Sequence, residues 1–268
     1  MIDALAPQRP GTWSDGTVTV SRSDRPDGAL VTVERAGRRV HVQHRFRPEH
    51  LRDSLAARLA AIAAPRTVDE FERIVVGAVR STVDAPHDAW LTYYRNSLDD
   101  LESGSTAFAP VHARAEELLL GESVLDLGSC FGFFPLRVAR RGWRVTASDL
   151  CPGTMDLLAR VAPDLGAPLR TVAADAAATG LPDRYCDTVT ALHLLEHVPP
   201  AAGRAILAEA VRLARRRVIV AVPYEDEPDA RYGHVRTFTA ATLRELGAAT
   251  GLAWTVGEHH GGWLVLDR

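Results

Sequence analysis

The chain contains no lysine: each of its 31 basic side chains is an arginine. Chemistry that needs a lysine amine, such as Schiff-base formation or a desolvated lysine base, is therefore excluded. Cysteine is scarce too. Cys130, Cys151 and Cys186 are odd in number and form no metal-binding pair, so a reduced protein is expected rather than a disulfide framework. No apolar run approaches the length of a membrane span, and the first ten residues lack the charged and apolar regions of a secretory leader. The net charge of −3 leaves no electrostatic footprint for nucleic acid. These absences together point to a cytoplasmic protein with neither membrane nor nucleic-acid partners. At 268 residues the chain can bury a large core, as one large domain or as a domain with an appendage.

The first third alternates at period two. Thr17 to Arg22, Ala29 to Arg35 and Arg39 to Phe46 read as strands, separated by turns at Asp24 to Gly28 and Ala36-Gly37. The expected arrangement is a three-stranded antiparallel meander. Helical patterns follow over Pro48 to Ala64 and Val68 to Thr82. A division near Pro86 separates residues 1–86 from a second domain over residues 87–268. An appendage this small packs on its neighbour or serves a dimer or substrate contact. Trp90 to Asn96 carries aromatic rings beside Asn and Arg, which suits either a polar ligand such as a sugar or the core of a packed helix.

Beyond that division strands alternate with helices, which calls for a parallel sheet with right-handed crossovers. Val124 to Leu127 is a short apolar run suited to a buried strand, broken by Gly128-Ser-Cys-Phe-Gly132 before the next helical pattern. A second strand, Arg144 to Ser148, ends in Asp149, 21 residues after Gly128. That is the spacing at which a carboxylate reaches the ribose hydroxyls of a nucleoside. A third strand, Leu169 onward, runs to Asp175. The fourth follows Asp187, and the apolar run Arg217 to Val222 is the fifth, ended by Pro223. Trp254 to Glu258 and Trp263 to Arg268 complete the sheet as a terminal hairpin. Each strand-end acid alone reads equally as a solvated carboxylate. Three in succession at the carboxyl ends of consecutive strands read as a ligand site.

Asp126-Leu-Gly128-Ser-Cys130-Phe-Gly132, together with Leu194-Leu-Glu-His-Val-Pro199, resembles class I S-adenosylmethionine-dependent methyltransferases, with Cys130 where a middle glycine often stands. The resemblance covers about residues 91–268. It implies a doubly wound, mostly parallel seven-stranded Rossmann-like sheet whose last strand is antiparallel, with S-adenosylmethionine as cofactor. It further implies that Asp126, Gly128, Ser129, Cys130 and Gly132 form the cofactor turn. Asp149 and Leu150 would face the ribose and Asp175 with Ala176 the adenine edge, with His193 in cofactor reach. Taken with Trp90 to Asn96 and the "GHVRxF" stretch Gly233 to Phe238, the chain also looks like the mycofactocin oligosaccharide methyltransferases. That likeness implies O-methylation of a sugar hydroxyl on a glycosylated small molecule. A quinone or phenol O-methyltransferase, or a non-catalytic nucleoside-binding protein, would share the cofactor residues.

A hydroxyl acceptor needs a base near neutral pKa, which histidine supplies. His193 follows the fourth strand and is the preferred base, with His234 second. His197 reads equally as a helix-start residue bonded to backbone. Glu225-Asp226-Glu227 and Asp229 read as a solvated charge run, and no metal is expected.

Overall fold

The computed structural model describes residues 4–23, 29–229 and 232–268. These form two compact units, Met1–Glu102 and Ser103–Arg268.

In the first unit, β1 (Thr12–Ser14), β2 (Val18–Arg22), β3 (Val31–Ala36) and β4 (Arg39–His44) make a four-stranded sheet in the order β1-β2-β4-β3. This corrects the meander. β4 pairs antiparallel with β3 but parallel with β2, so β2 and β3 are not neighbours, and the short β1 adds an edge. Burial explains the order. β4 buries Val40, Val42 and His44, whereas β3 buries only Val31 among its six residues, so β4 takes the interior position. Val18 pairs with Val40 and Val20 with Val42, which stacks β-branched side chains on the core face. The expected turn at Asp24 to Gly28 lies outside the described residues.

Helix α1 (Ser54–Ala63) follows a 3-10 turn at Pro48–His50, so the expected continuous helix from Pro48 is divided. Helix α2 (Val68–Thr82) spans the expected residues and is capped by Thr67, whose hydroxyl accepts from the Glu70 amide. It crosses the sheet at Gly77, where an added Cβ would lie 2.8 Å from Cβ of Val20 and 2.9 Å from the Trp13 ring. Only a residue without a side chain permits that approach. Further along α2, Arg80 is fully buried, and its guanidinium donates to the carbonyls of Ala4 and Ala6. Gln8 donates in turn to the Arg80 carbonyl at 2.6 Å.

Helix α3 (Pro86–Glu102) belongs to this unit, whereas the division expected at residue 86 assigns it to the other. Trp90, Tyr93 and Tyr94 are buried within it, and Asn96 donates to the carbonyls of Pro48 and Leu51. The aromatic segment is core packing of the first unit, the packed-helix alternative of the two readings open to it.

The second unit is a seven-stranded sheet of β5 (Ser123–Leu127), β6 (Arg144–Asp149), β7 (Arg170–Ala173), β8 (Cys186–Leu192), β9 (Ala214–Val222), β10 (Ala253–Glu258) and β11 (Gly262–Asp267). Its order is β10-β11-β9-β8-β5-β6-β7, with β5 to β9 parallel and β11 antiparallel to both its neighbours, as expected. Helices α4 (Ala109–Leu118), α5 (Phe133–Ala139), α6 (Pro152–Val161), α7 (Pro200–Leu213) and α8 (Ala240–Ala249) alternate with the strands. β8 buries six consecutive residues, the continuous burial of a parallel strand covered on both faces. The strand order reverses direction between β5 and β8. Ligands of open α/β sheets bind outside the carboxyl ends at that point.

Candidate active site

The turn after β5 has three left-handed positions in five residues: Gly128 (φ 71°), Cys130 (φ 49°) and Gly132 (φ 76°). At Gly128 an added Cβ would meet Leu194 at 2.6 Å, so packing as well as backbone conformation requires glycine there. Ser129 stitches the turn to β6. Its amide donates to the Ser148 carbonyl at 2.9 Å, its hydroxyl donates to the Asp126 carbonyl at 3.0 Å, and the same hydroxyl accepts from the Ser148 amide at 3.1 Å.

Asp149 ends β6 and faces this turn. One carboxylate oxygen accepts from the Cys130 amide and the other from the Cys151 amide, both at 2.9 Å. Each oxygen keeps a second lone pair on the open side of the sheet edge. Leu150 beside it is 75% exposed. Asp175, past the end of β7, is exposed and accepts from the Ala177 amide at 2.8 Å, which turns the chain over Ala176. Asp149, Leu150, Asp175 and Ala176 therefore line one rim over adjacent parallel strands.

Asp126 lies beneath the turn, fully enclosed. Its Oδ1 accepts from the Thr190 hydroxyl on β8 at 2.6 Å. Burial pushes its carboxyl up to about 7, against the lowering effect of the Thr190 and Ser129 hydroxyls. Asp126 is thus held from the neighbouring strand, and a ligand above the turn meets backbone rather than this carboxyl.

His193 directly follows β8 and takes a left-handed backbone (φ 51°), its amide donating to Ala221 of β9 at 2.8 Å. A non-glycine residue held at positive φ is a cost of order 1 kcal/mol that its surroundings must offset. Its ring meets Phe108 edge-on at 5.0 Å, and its Nδ1 lies 3.1 Å from Oε1 of Glu196. Glu196 is fully buried, and among the described residues neither of its carboxylate oxygens has an aligned hydrogen-bond donor.

His197 and His234 come together, their rings 4.9 Å apart and nearly perpendicular. The segment carrying His234 is zipped to the 3-10 turn Leu195–His197: the Val235 amide donates to the Glu196 carbonyl and Arg236 Nε to the Leu195 carbonyl. His234 Nδ1 is bonded to Glu225 at 2.8 Å. Glu225 is therefore a partner of a candidate base, which corrects its reading as part of a solvated run. The ligand atoms of Glu196, His197 and His234 all lie within 4.8 Å of one another, a grouping that the expectation of no metal leaves out of account.

Two residues near His193 escape sequence reasoning. Phe108, at the start of α4, is 43% exposed although large and apolar. His112, one turn later, is buried against Phe134, and burial pushes its imidazole down to about 3, helped by the charge of Arg137. The spacing of Phe108 and His112 by four residues on a helix was the available signal.

Residues 125–222 match the family described as a methyltransferase domain. The chain is 30% identical over 153 residues to the ubiquinone biosynthesis O-methyltransferase of Aeromonas salmonicida (strain A449), covering 50% of this chain and 64% of that protein. The protein of the same name from Pseudomonas fluorescens (strain Pf0-1) is 35% identical over 83 residues, or 30% of this chain and 35% of the relative. The chain thus spans less than two thirds of the length of these curated relatives. Among solved structures, one from the conversion of a disulfide bond into a thioacetal group in echinomycin biosynthesis is 22% identical with a TM-score of 0.50, covering 63% of this chain and 91% of that one. That likeness is one of fold, and the second unit has the class I methyltransferase fold.

Proposed function

We propose that this chain is an S-adenosylmethionine-dependent O-methyltransferase acting on a hydroxyl of a small molecule, with a sugar hydroxyl of a mycofactocin-type oligosaccharide as the acceptor. The observation that carries the cofactor is the Asp149 carboxylate, which ties the Cys130 amide of the glycine turn to the end of the next strand while keeping free acceptor capacity at the sheet's carboxyl edge. The rim fits a nucleoside: carboxylates at two adjacent strand ends for hydroxyl and amine donors, with exposed Leu150 between them for a flat ring. The matched methyltransferase domain runs from within β5 to the end of β9 and so includes all of these residues. S-adenosylmethionine, when bound, supplies an electrophilic methyl on a positively charged sulfur.

The protein's part is to position the acceptor and to take its proton. Positioning carries much of the barrier reduction in a two-body displacement. As the acceptor oxygen forms its bond to the methyl carbon, the carbon–sulfur bond breaks and the hydroxyl proton passes to an imidazole. His193 is the preferred receiver, because it stands at the end of β8, next to the topological switch. The buried Glu196 carboxylate lies 3.1 Å from its Nδ1. His234, oriented by Glu225, is the second candidate.

A phenolic or quinol acceptor is a second reading, supported by the exposed Phe108 ring beside His193 and by the ubiquinone biosynthesis relatives. Incubating the protein with isotopically labelled cofactor and separate glycan and phenol panels discriminates the two. Methylated glycan is the expected product. Methylation of phenols alone would transfer the assignment to the second reading, and cofactor binding with no methylated product in cell extract would leave a nucleoside-binding protein.

A further inference from the structure

Glu196 poses an energetic question that methyl transfer does not answer. Its carboxylate is fully buried, with no aligned donor to either oxygen among the described residues. A buried carboxylate without hydrogen bonds costs several kcal/mol unless a cation compensates it. Two groups face it. His193 Nδ1 lies 3.1 Å away without hydrogen-bond alignment, and the Arg236 guanidinium acts on it through space while its Nε is spent on the Leu195 carbonyl. On its remaining side stand His197 and His234, whose ligand atoms fall within 4.8 Å of its own and of each other.

We propose that Glu196, His197 and His234 hold a divalent transition-metal ion. Two imidazole nitrogens and one carboxylate oxygen suit zinc, iron, cobalt or manganese rather than magnesium or calcium, which prefer all-oxygen sets. The second shell is in place. Glu225 accepts from His234 Nδ1 at 2.8 Å, which fixes the ring and leaves the Nε2 lone pair for the ion. A tetrahedral zinc sets neighbouring ligand atoms roughly 3.3 Å apart, so the group must draw in by about 1 Å or more. His197, exposed on its short 3-10 turn, is the ligand free to move. Three protein ligands leave a fourth position open.

The consequence for catalysis rests on the methyl-transfer reading; the binding does not. At the carboxyl edge beside His193, the open position would take the acceptor oxygen.

The test uses the full chain, stripped of metal and titrated with Zn2+ by calorimetry and with Co2+ by absorption spectroscopy. One ion per chain is expected, with visible bands of tetrahedral Co2+. His197→Ala should weaken binding at least 100-fold and Glu225→Gln by 10- to 100-fold, each with an unchanged thermal transition in the absence of metal. Absence of stoichiometric binding, or affinity unchanged in both variants, would overturn the site. Calorimetry with S-adenosylhomocysteine on the same samples separates the two proposals. Zn2+ uptake without nucleoside binding removes the methyltransferase reading and keeps the metal, and the reverse result removes the metal alone.

Discussion

Each of the two units buries a histidine, and they treat it differently. In the first, His44 is fully satisfied: its Nδ1 accepts from the Phe46 amide at 3.0 Å, so the proton sits on Nε2 and goes to Ser81 Oγ at 2.7 Å, which donates onward to the Gly77 carbonyl at 2.6 Å. Every atom of that chain has one role, and the neutral tautomer is locked. In the second unit, His112 Nδ1 and the Glu196 carboxylate have no hydrogen-bond partner among the described residues, and the Asp126 carboxyl is raised to about 7. Both arrangements shift ionisation, but the His44 network is closed, whereas the second leaves buried capacity unspent around the carboxyl ends of β5 and β8. Closed polar networks hold a core together; open ones mark where a ligand completes the structure.

The comparison breaks most sharply at His193. His193→Ala should lower kcat by about 100-fold or more, the scale of general-base loss, with S-adenosylhomocysteine affinity nearly unchanged. Full turnover in that variant would remove His193 from the base role. Asp149→Ala should weaken the same ligand by about 10- to 100-fold, the range for hydrogen bonds to a charged group, while the first unit's unfolding stays in place. Unchanged affinity in calorimetry would remove Asp149 from the ribose role.

Acid sharpens the contrast from the other side. Burial pushes the His44 imidazole down to about 4, aided by the charge of Arg22. A group whose folded pKa is depressed contributes stability above its unfolded value near 6.5 and loses it as pH falls toward 4. The first unit should therefore lose on the order of 3 kcal/mol across that window, because a second proton on Nδ1 would face the Phe46 amide. Hydrogen exchange of β4 and α2 amides in the full chain at pH 7 and pH 4.5 checks this. The loss should vanish in His44→Gln, and its persistence would place the acid sensitivity elsewhere. The smallest effect is expected at Gly77→Ala, whose Cβ would press on Val20 and Trp13. Overpacking there should cost about 1 to 3 kcal/mol in thermal unfolding and leave nucleoside affinity untouched.

The parallel sheet was legible because short apolar stretches such as Val124–Leu127 and Val218–Val222 alternate with helical patterns, and the crossover rule then fixes direction. The first sheet was not, because period-two alternation marks a strand without naming its partner. The paired valines of β2 and β4 are compatible with either direction, and β1 at three residues is too short to register. Asp126, Asp149 and Asp175 lie on or just beyond their strands as the spacing indicated. What the numbering hid is tertiary: Glu225 reaching His234 across a loop, Phe108 returning from an earlier helix to His193, and Glu196 fully enclosed although it stands in a polar Leu-Glu-His-Val stretch.

Arg80 carries a consequence for how the first unit comes into being. Its guanidinium is held by the carbonyls of Ala4 and Ala6, more than seventy positions earlier in the chain, and the Trp90 indole donates to Ala4 as well. The earliest described residues thus act as an internal ligand for helices synthesised last. A protease that trims through residue 8 would remove these carbonyls from the buried guanidinium. Cleavage at that one point should therefore expose the whole unit to digestion at once.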